Sequence, residues 1–269
     1  MKKLLAIMLA LLMVATLAAC DGVTGGDNEL DDYIREDKVI TFETLENGDT
    51  FHFENIDTET VAITAYEGSD KAHLLEIPEK LNGKTVVGIA KAAFKDCSKI
   101  NAISFPATVT TIGDYAFSGC VLLEYVDIPE TITSIGVGAF NDCIAMTSLL
   151  FEGTPQLTTI KELTFNNCTS LTSVIIPASV KTIEAGAFMD CTSLASLTIS
   201  EGVESIGNVA FRNCTALSSL KLPASLTSIG SYVFSNCDAL YINDVVVPEG
   251  SYAHTYVVEQ MKLPERLED

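Results

Sequence analysis

The chain has 269 residues, of which 48% are hydrophobic, and its 36 Asp and Glu against 16 Lys and Arg give a formal net charge of -20. A strongly anionic chain is repelled by nucleic acids and by anionic lipid headgroups. The charge therefore argues against a nucleic-acid-binding protein. It favours partners that are neutral or basic proteins, or glycans.

The N-terminus has the pattern of a secretory signal. Lys2 and Lys3 precede an apolar run over residues 4–15, which is shorter than the roughly 20 residues of a membrane span. The sequence Leu-Ala-Ala-Cys at 17–20 resembles the lipobox of bacterial lipoproteins, whose cysteine is acylated and becomes the first residue. We predict a signal peptide over residues 1–19 and a lipid anchor at Cys20. An ordinary cleaved signal with a chance cysteine is the alternative.

Residues 20–37 are rich in Gly, Asp and Glu. Such a segment does not bury enough apolar surface to offset the cost of ordering the chain. We therefore predict an acidic flexible tether here.

Residues 38–88 predict an N-terminal β cap followed by a first, imperfect coil. Residues 39–45 and 51–53 predict the two strands of a hairpin, joined by a two-residue turn of the Asn-Gly type at Asn47-Gly48. Residues 61–66 predict one further strand.

The centre of the chain, residues 89–247, contains seven copies of the pattern Phe-x-x-Cys. The copies are spaced by 23 residues at every step but one, and they are Phe94/Cys97, Phe117/Cys120, Phe140/Cys143, Phe165/Cys168, Phe188/Cys191, Phe211/Cys214 and Phe234/Cys237. A period of this length is the signature of a solenoid, in which each unit contacts only its neighbours.

In six of the seven copies, apolar residues six and eight positions after the cysteine predict a short strand with one buried face, as at Val126 and Ile128. A proline such as Pro129 often ends that strand. A glycine often follows later, and we expect it at a tight corner with positive φ. The Ala-Phe-x-x-Cys segment is compatible with a single helical turn that faces inward.

The unit Cys-x-x-Leu-x-x-Val-x-Ile-Pro-x-x-Val-x-x-Ile-Gly-x-x-Ala-Phe resembles the BspA-like class of bacterial surface leucine-rich repeats. The match is cleanest over residues 120–140 and 214–234, and it covers roughly residues 76–250. Proline is absent at Glu152, Ser200 and Val246, and a two-residue insertion lies around 152–155. The resemblance implies a mainly β, leucine-rich-repeat solenoid with short helical turns, a parallel sheet on its concave face, and a cap at each end.

The repeat cysteines allow two interpretations. Equivalent cysteines of stacked coils lie about 4.8 Å apart, which is within reach of a disulfide. However, their side chains run parallel, which suits the disulfide dihedral poorly, and seven is an odd number. We predict a ladder of buried free thiols. Because there are no Cys-x-x-Cys pairs, we predict no zinc site.

Residues 248–269 predict the C-terminal cap. Tyr252, Tyr256, Val257 and Met261 are spaced as on one face of a helix, so we predict a short helix from Ser251 to Lys262.

The chain contains no catalytic motif or cofactor fingerprint, and its three histidines, His52, His73 and His254, lie in or near the caps. We predict no enzyme and no cofactor. The outward positions of the strands predict an apolar stripe that could bind a partner. This candidate surface consists of Tyr125, Asp127, Leu150, Ile175, Thr198 and Lys221; isolated surface side chains without a function are the alternative.

The resemblance implies an adhesin-like binding protein on the extracellular face of a bacterial membrane or outer envelope. Its partner would be an unidentified extracellular protein or glycan. A passive structural spacer of the cell envelope is the alternative function.

Overall fold

A computed structural model describes residues 41–68, 71–261 and 263–265. The expected signal peptide, the lipidation site Cys20 and the acidic tether therefore lie outside the described residues.

The described chain is a solenoid in which a typical coil contributes two strands, a longer one that we call the long strand and a shorter one of two residues. The first six strands form the N-terminal region and are β1 (Thr41–Thr44), β2 (Thr50–Asn55), β3 (Thr60–Glu67), β4 (His73–Glu76), β5 (Lys80–Leu81) and β6 (Lys84–Ile89). The long strands are β7 (Ile100–Ser104), β9 (Tyr125–Ile128), β11 (Ser148–Phe151), β13 (Ser173–Ile176), β15 (Ser196–Ile199), β17 (Ser219–Lys221) and, shortened to two residues in the last coil, β19 (Val245–Val246). The short strands are β8 (Thr111–Ile112), β10 (Ser134–Ile135), β12 (Thr159–Ile160), β14 (Thr182–Ile183), β16 (Ser205–Ile206) and β18 (Ser228–Ile229). This architecture confirms the predicted repeat solenoid.

Adjacent coils pair in parallel, and equivalent residues lie opposite one another. Val126 pairs with Leu149, and Leu197 pairs with Leu220, in each case one repeat further along the chain. The long strands form two ladders, β4-β7-β9-β11 and β13-β15-β17-β19. The ladder is interrupted between β11 and β13, where the sequence carries the insertion at 152–155, yet the two strands remain neighbours.

A continuous stack of phenylalanine rings fills the centre of the solenoid. Neighbouring rings, from Phe94 to Phe234, have centroids 4.9–5.6 Å apart and interplanar angles of 6–19°. The Tyr66 ring of β3 contacts the end of the stack, 5.3 Å from Phe94 and tilted by 41°. The predicted inward direction of the Phe-x-x-Cys phenylalanines is therefore confirmed.

The Ala-Phe-x-x-Cys segment differs from the expected helical turn. Around Phe117, Tyr115 and Gly119 have φ angles of 55° and 75°, and the segment forms successive tight turns, in which Ser118 donates to the Tyr115 carbonyl at 3.1 Å. The intervening N–H groups point along the solenoid, so that the Phe117 amide donates to Ala139 of the next coil at 2.8 Å. A helix would use these donors internally, whereas the tight turns leave every second one free to join the coils.

The recurrent glycines have a different role from the one expected. Gly113, Gly136, Gly207 and Gly230 are not among the residues with positive φ. Instead, each lies against the backbone of the preceding coil: a Cβ at Gly113 would be 2.6 Å from the Ala90 carbonyl carbon. Glycine is present because two backbones approach closely.

Six of the repeat cysteines are free and buried, as predicted: Cys120, Cys143, Cys168, Cys191, Cys214 and Cys237. Each Sγ donates to the carbonyl of the preceding coil's phenylalanine at 3.2–3.4 Å. Burial raises the pKa of these thiols, to about 12 for Cys237. Cys97 of the first coil is instead disulfide-bonded, so the free-thiol prediction is wrong for this residue.

At the N-terminal cap, β1 and β2 pair as the predicted hairpin, but the turn differs from the two-residue form. The Leu45 amide donates to Asp49 at 2.8 Å, which leaves three residues in the loop, with Gly48 at φ 92°. Three-residue loops of this kind need a left-handed third residue, which glycine supplies.

At the C-terminal cap, a 3₁₀ turn (Ile242–Asp244) precedes helix α1 (Tyr252–Tyr256), which continues as a π-helical turn over Val257–Met261. Ser251 caps α1 by accepting from the His254 amide at 3.1 Å. The predicted helix is thus confirmed as far as Met261, and Lys262 lies outside the described residues.

Candidate interaction surface

The outward side chains of β4 and of the long strands form one surface, which we call the strand face. Along β9 and β13, alternate residues are buried and exposed, because successive side chains of a strand point to opposite sides. Tyr125, Leu150 and Ile175 are 54%, 53% and 66% exposed. Large apolar side chains with this much exposure are available to a partner.

The strand face carries the whole candidate binding surface that the sequence predicts. Asp127 and Lys221 are exposed on it and Thr198 is half-buried. In the C-terminal ladder, Ile175 pairs with Thr198 and Thr198 with Lys221, so these three lie in one row. The six residues therefore share one face.

The apolar stripe runs diagonally rather than along one row. Ser148 lies opposite Tyr125, and Leu150 lies opposite Asp127. Leu150 and Ile175 also lie on either side of the ladder interruption between β11 and β13. Tyr125 is therefore displaced from Leu150 by two residues along the strand direction.

The structure adds two exposed apolar residues that the sequence interpretation missed, Leu74 of β4 and Val246 of β19, which are 48% and 62% exposed. Val246 extends the row of Lys221. Leu74 joins the row of Tyr125 through Ala102. Aligning Ile77-Pro78 with Phe105-Pro106 of the next coil would have identified β4 as a strand of the same face.

A cavity of about 320 Å³ lies at the N-terminal end of the strand face. Its lining includes Leu74, Ala102, Ser104, Tyr125 and Asp127. Glu152 also lines it and occupies the position that is proline in most other coils. The departure from the repeat pattern therefore places a carboxylate at this cavity.

A second cavity, of about 770 Å³, lies between the last coil and the C-terminal cap. It is bounded by the turn around Phe234 and by Tyr256, Met261 and Leu263, and Asp238 is the one charged side chain among the described residues that line it. It is separate from the strand face.

Over residues 41–68, 71–261 and 263–265, no group of three or more His, Cys, Asp or Glu side chains is placed to hold a metal ion. In the same part of the chain, no helix combines the length and the apolar character needed to cross a membrane.

Stacked coils, each with one long strand in a parallel ladder and a shared inward set of apolar residues, define a leucine-rich repeat protein. The chain belongs to the family described as "BspA type Leucine rich repeat region", whose profile matches residues 59–195 and 150–257 in six copies. A comparison with curated proteins gives no match.

Three solved structures share this fold. The T. pallidum Leucine Rich Repeat protein is 31% identical, with a TM-score of 0.67, over 80% of this chain and 95% of that one. A leucine rich cell surface protein from Faecalibacterium prausnitzii A2-165 is 29% identical, with a TM-score of 0.63, over 77% of this chain and 54% of that one. A leucine-rich repeat protein from Eubacterium ventriosum ATCC 27560 is 27% identical, with a TM-score of 0.63, over 77% of this chain and 50% of that one.

Proposed function

We propose that this chain is a binding protein of the bacterial cell surface, and that it holds another protein on its strand face. The observation that carries the proposal is the set of large exposed apolar side chains, Tyr125, Leu150 and Ile175, on the same face of the two neighbouring parallel ladders. Side chains on a rigid sheet lose little freedom on binding, and a buried aromatic residue with aliphatic neighbours is typical of an interaction hot spot.

The location at the cell surface is supported by two observations. The sequence over residues 17–20 resembles a lipobox, and the similar protein from F. prausnitzii is described as a cell surface protein. Each buried methylene of an acyl chain contributes about 0.8 kcal/mol to membrane binding, so a multiply acylated Cys20 would hold the solenoid at the outer side of the membrane.

A non-catalytic role agrees with the family, whose leucine-rich repeats typically bind rather than catalyse. A passive envelope spacer would use the same solenoid, but a spacer has no need of exposed apolar side chains at successive strands. We therefore favour adhesin-like binding of an extracellular protein, with a glycan as the second class of partner.

The test compares partner binding by two matched double variants. Extracellular matrix proteins and bacterial surface extracts are passed over the immobilised full chain, and a captured partner is purified. Tyr125→Ser with Ile175→Ser should weaken its binding by about tenfold, equivalent to about 1.4 kcal/mol, with an unchanged melting temperature.

The control is Tyr232→Ser with Ile144→Ser, because these residues are also exposed but lie on the turns, away from the strand face. The control should bind like the unmodified chain. Equal binding by all three proteins would refute the strand face as the binding surface, and the absence of any saturable partner would favour the spacer.

A further inference from the structure

The N-terminal end of the strand face has an apolar row with a gap at its centre. Leu74 pairs with Ala102, and Ala102 pairs with Tyr125, so the three residues lie side by side on β4, β7 and β9. Neighbouring strands are about 4.8 Å apart, which places the two large side chains roughly 10 Å from each other across the small alanine. The 320 Å³ cavity lies over this gap. We call this cavity the notch.

An acidic row runs beside the apolar one, two residues further along each strand. Glu76 pairs with Ser104, and Asp127 follows Tyr125 by two positions on β9. The small residue of β7 is again at the centre, with an exposed carboxylate on either side. Glu152 adds a further carboxylate at the edge of the cavity.

These carboxylates are without a cation in the part of the chain that the structure describes. The side chains of Glu76, Asp127 and Glu152 form no hydrogen bond or ion pair with any described residue. Among the residues that the structure describes, no lysine or arginine lines the cavity. The notch therefore combines an aromatic wall, an apolar wall and an excess of negative charge.

We propose that the notch binds an arginine side chain presented by an extended segment of the partner protein. The apolar row would contact the aliphatic stem of the arginine, between Leu74 and Tyr125. The guanidinium would lie against the tyrosine ring and donate to Asp127 and Glu152. A planar guanidinium suits both contacts, since it stacks on aromatic faces and donates paired hydrogen bonds to carboxylates.

This inference rests on the proposed function, because it names the chemistry of the partner that the strand face holds. It also explains why Glu152 replaces proline at the cavity and why β7 carries small residues in both rows. A larger residue at either central position would close the notch.

The probe is the peptide acetyl-Gly-Gly-Arg-Gly-Gly-amide, titrated into the full chain with Cys20→Ala, which removes the proposed anchor. Chemical shifts of the Leu74 methyl groups and the Tyr125 ring report binding. The neutral citrulline analogue has nearly the same shape and should bind about tenfold more weakly or worse. Raising the salt concentration from about 0.05 to about 0.5 M should weaken binding of the arginine peptide, because salt screens exposed ion pairs.

Two variants test the two rows separately. Asp127→Asn removes a carboxylate, and Ala102→Leu fills the notch. Each should weaken binding of the arginine peptide by about fivefold or more. Their matched controls are Glu162→Gln, an exposed carboxylate on the turns, and Ser196→Leu, at the equivalent strand position in β15. Both controls should bind the peptide like the parent.

Equal binding of the arginine and citrulline peptides, unchanged binding in Ala102→Leu, or no shift at Leu74 and Tyr125 would each overturn the inference. If the inference fails while Tyr125→Ser with Ile175→Ser still weakens partner binding, the proposed function stands without it. If the peptide binds in the notch but that double variant leaves partner binding unchanged, the proposed function falls.

Discussion

Replacing Phe165 by alanine should remove a large part of the stability of the solenoid. Its ring is fully buried and is stacked between Phe140 at 5.5 Å and Phe188 at 5.1 Å, with Phe151 edge-on at 6.5 Å. Truncation of a buried phenylalanine costs about 3 to 5 kcal/mol through lost burial and the remaining cavity. A central coil cannot collapse around that cavity without disturbing both neighbours, so we expect the upper half of this range.

Phe234 provides the matched control for this substitution. It is 8% exposed and stacks on one phenylalanine, Phe211, at 5.6 Å. An aromatic pair is worth about 0.5 to 1.5 kcal/mol beyond its buried area, so Phe234→Ala should cost at least about that much less than Phe165→Ala.

The assay is urea denaturation followed by circular dichroism, with the slope of the transition compared among the three proteins. A solenoid can lose coils from one end, and a lower slope would reveal this. A loss below about 1 kcal/mol at Phe165, or equal losses at both positions, would refute the argument that the ring stack stabilises the central coils.

Three further predictions concern the backbone, the thiols and the anchor. Gly207→Ala should lower the free energy of unfolding, measured by heat or urea, by about 1 to 3 kcal/mol, because its Cβ would lie 2.6 Å from the Ala185 nitrogen. The control is Lys161→Ala, at the equivalent position of another coil, which should leave the stability unchanged. An equal loss of stability in both variants would contradict the close approach of the two backbones as the reason for glycine. The six free thiols should resist alkylation until the protein unfolds. Alkylation of these cysteines in the folded protein, detected by mass spectrometry, would contradict the prediction. Since burial raises their pKa above 9.0, their stabilising contribution is complete below pH 9 and declines as the pH rises from 9 towards the folded-state values. The free energy of unfolding measured from about pH 8 to 11 should show the first part of this decline. Cys20→Ala should release the protein from membranes with a loss of lipid mass; a variant that stays membrane-bound with unchanged mass would disprove the anchor.

The inward residues of the solenoid could be predicted because they follow a local period. Val126 and Ile128 are two residues apart, and Phe117 recurs 23 residues later as Phe140. Burial of apolar surface is non-directional, so the period alone indicates which side chains face the core. The inward direction of the seven Phe-x-x-Cys phenylalanines could therefore be predicted without knowing which atoms they contact.

The backbone of the turns could not be predicted in the same way. The left-handed residues around Phe117 and the ordinary φ of Gly113 both follow from contacts with neighbouring coils. Those contacts join residues that are one repeat apart, and the offsets within Ala-Phe-x-x-Cys are equally compatible with a helical turn. The hydrogen bonds between coils favour successive tight turns over a helical turn.

By itself, the sequence determined the repeat, the buried faces and the outward position of Tyr125, because each of these depends on spacing along the chain. Tertiary structure alone decided that Leu74 and Glu76, from the strand before the first Phe-x-x-Cys copy, lie beside Ala102 and Ser104. It also decided that Tyr125 lies diagonally to Leu150. The physical reason is that strand register sets which side chains become neighbours, and register is established only when the coils stack.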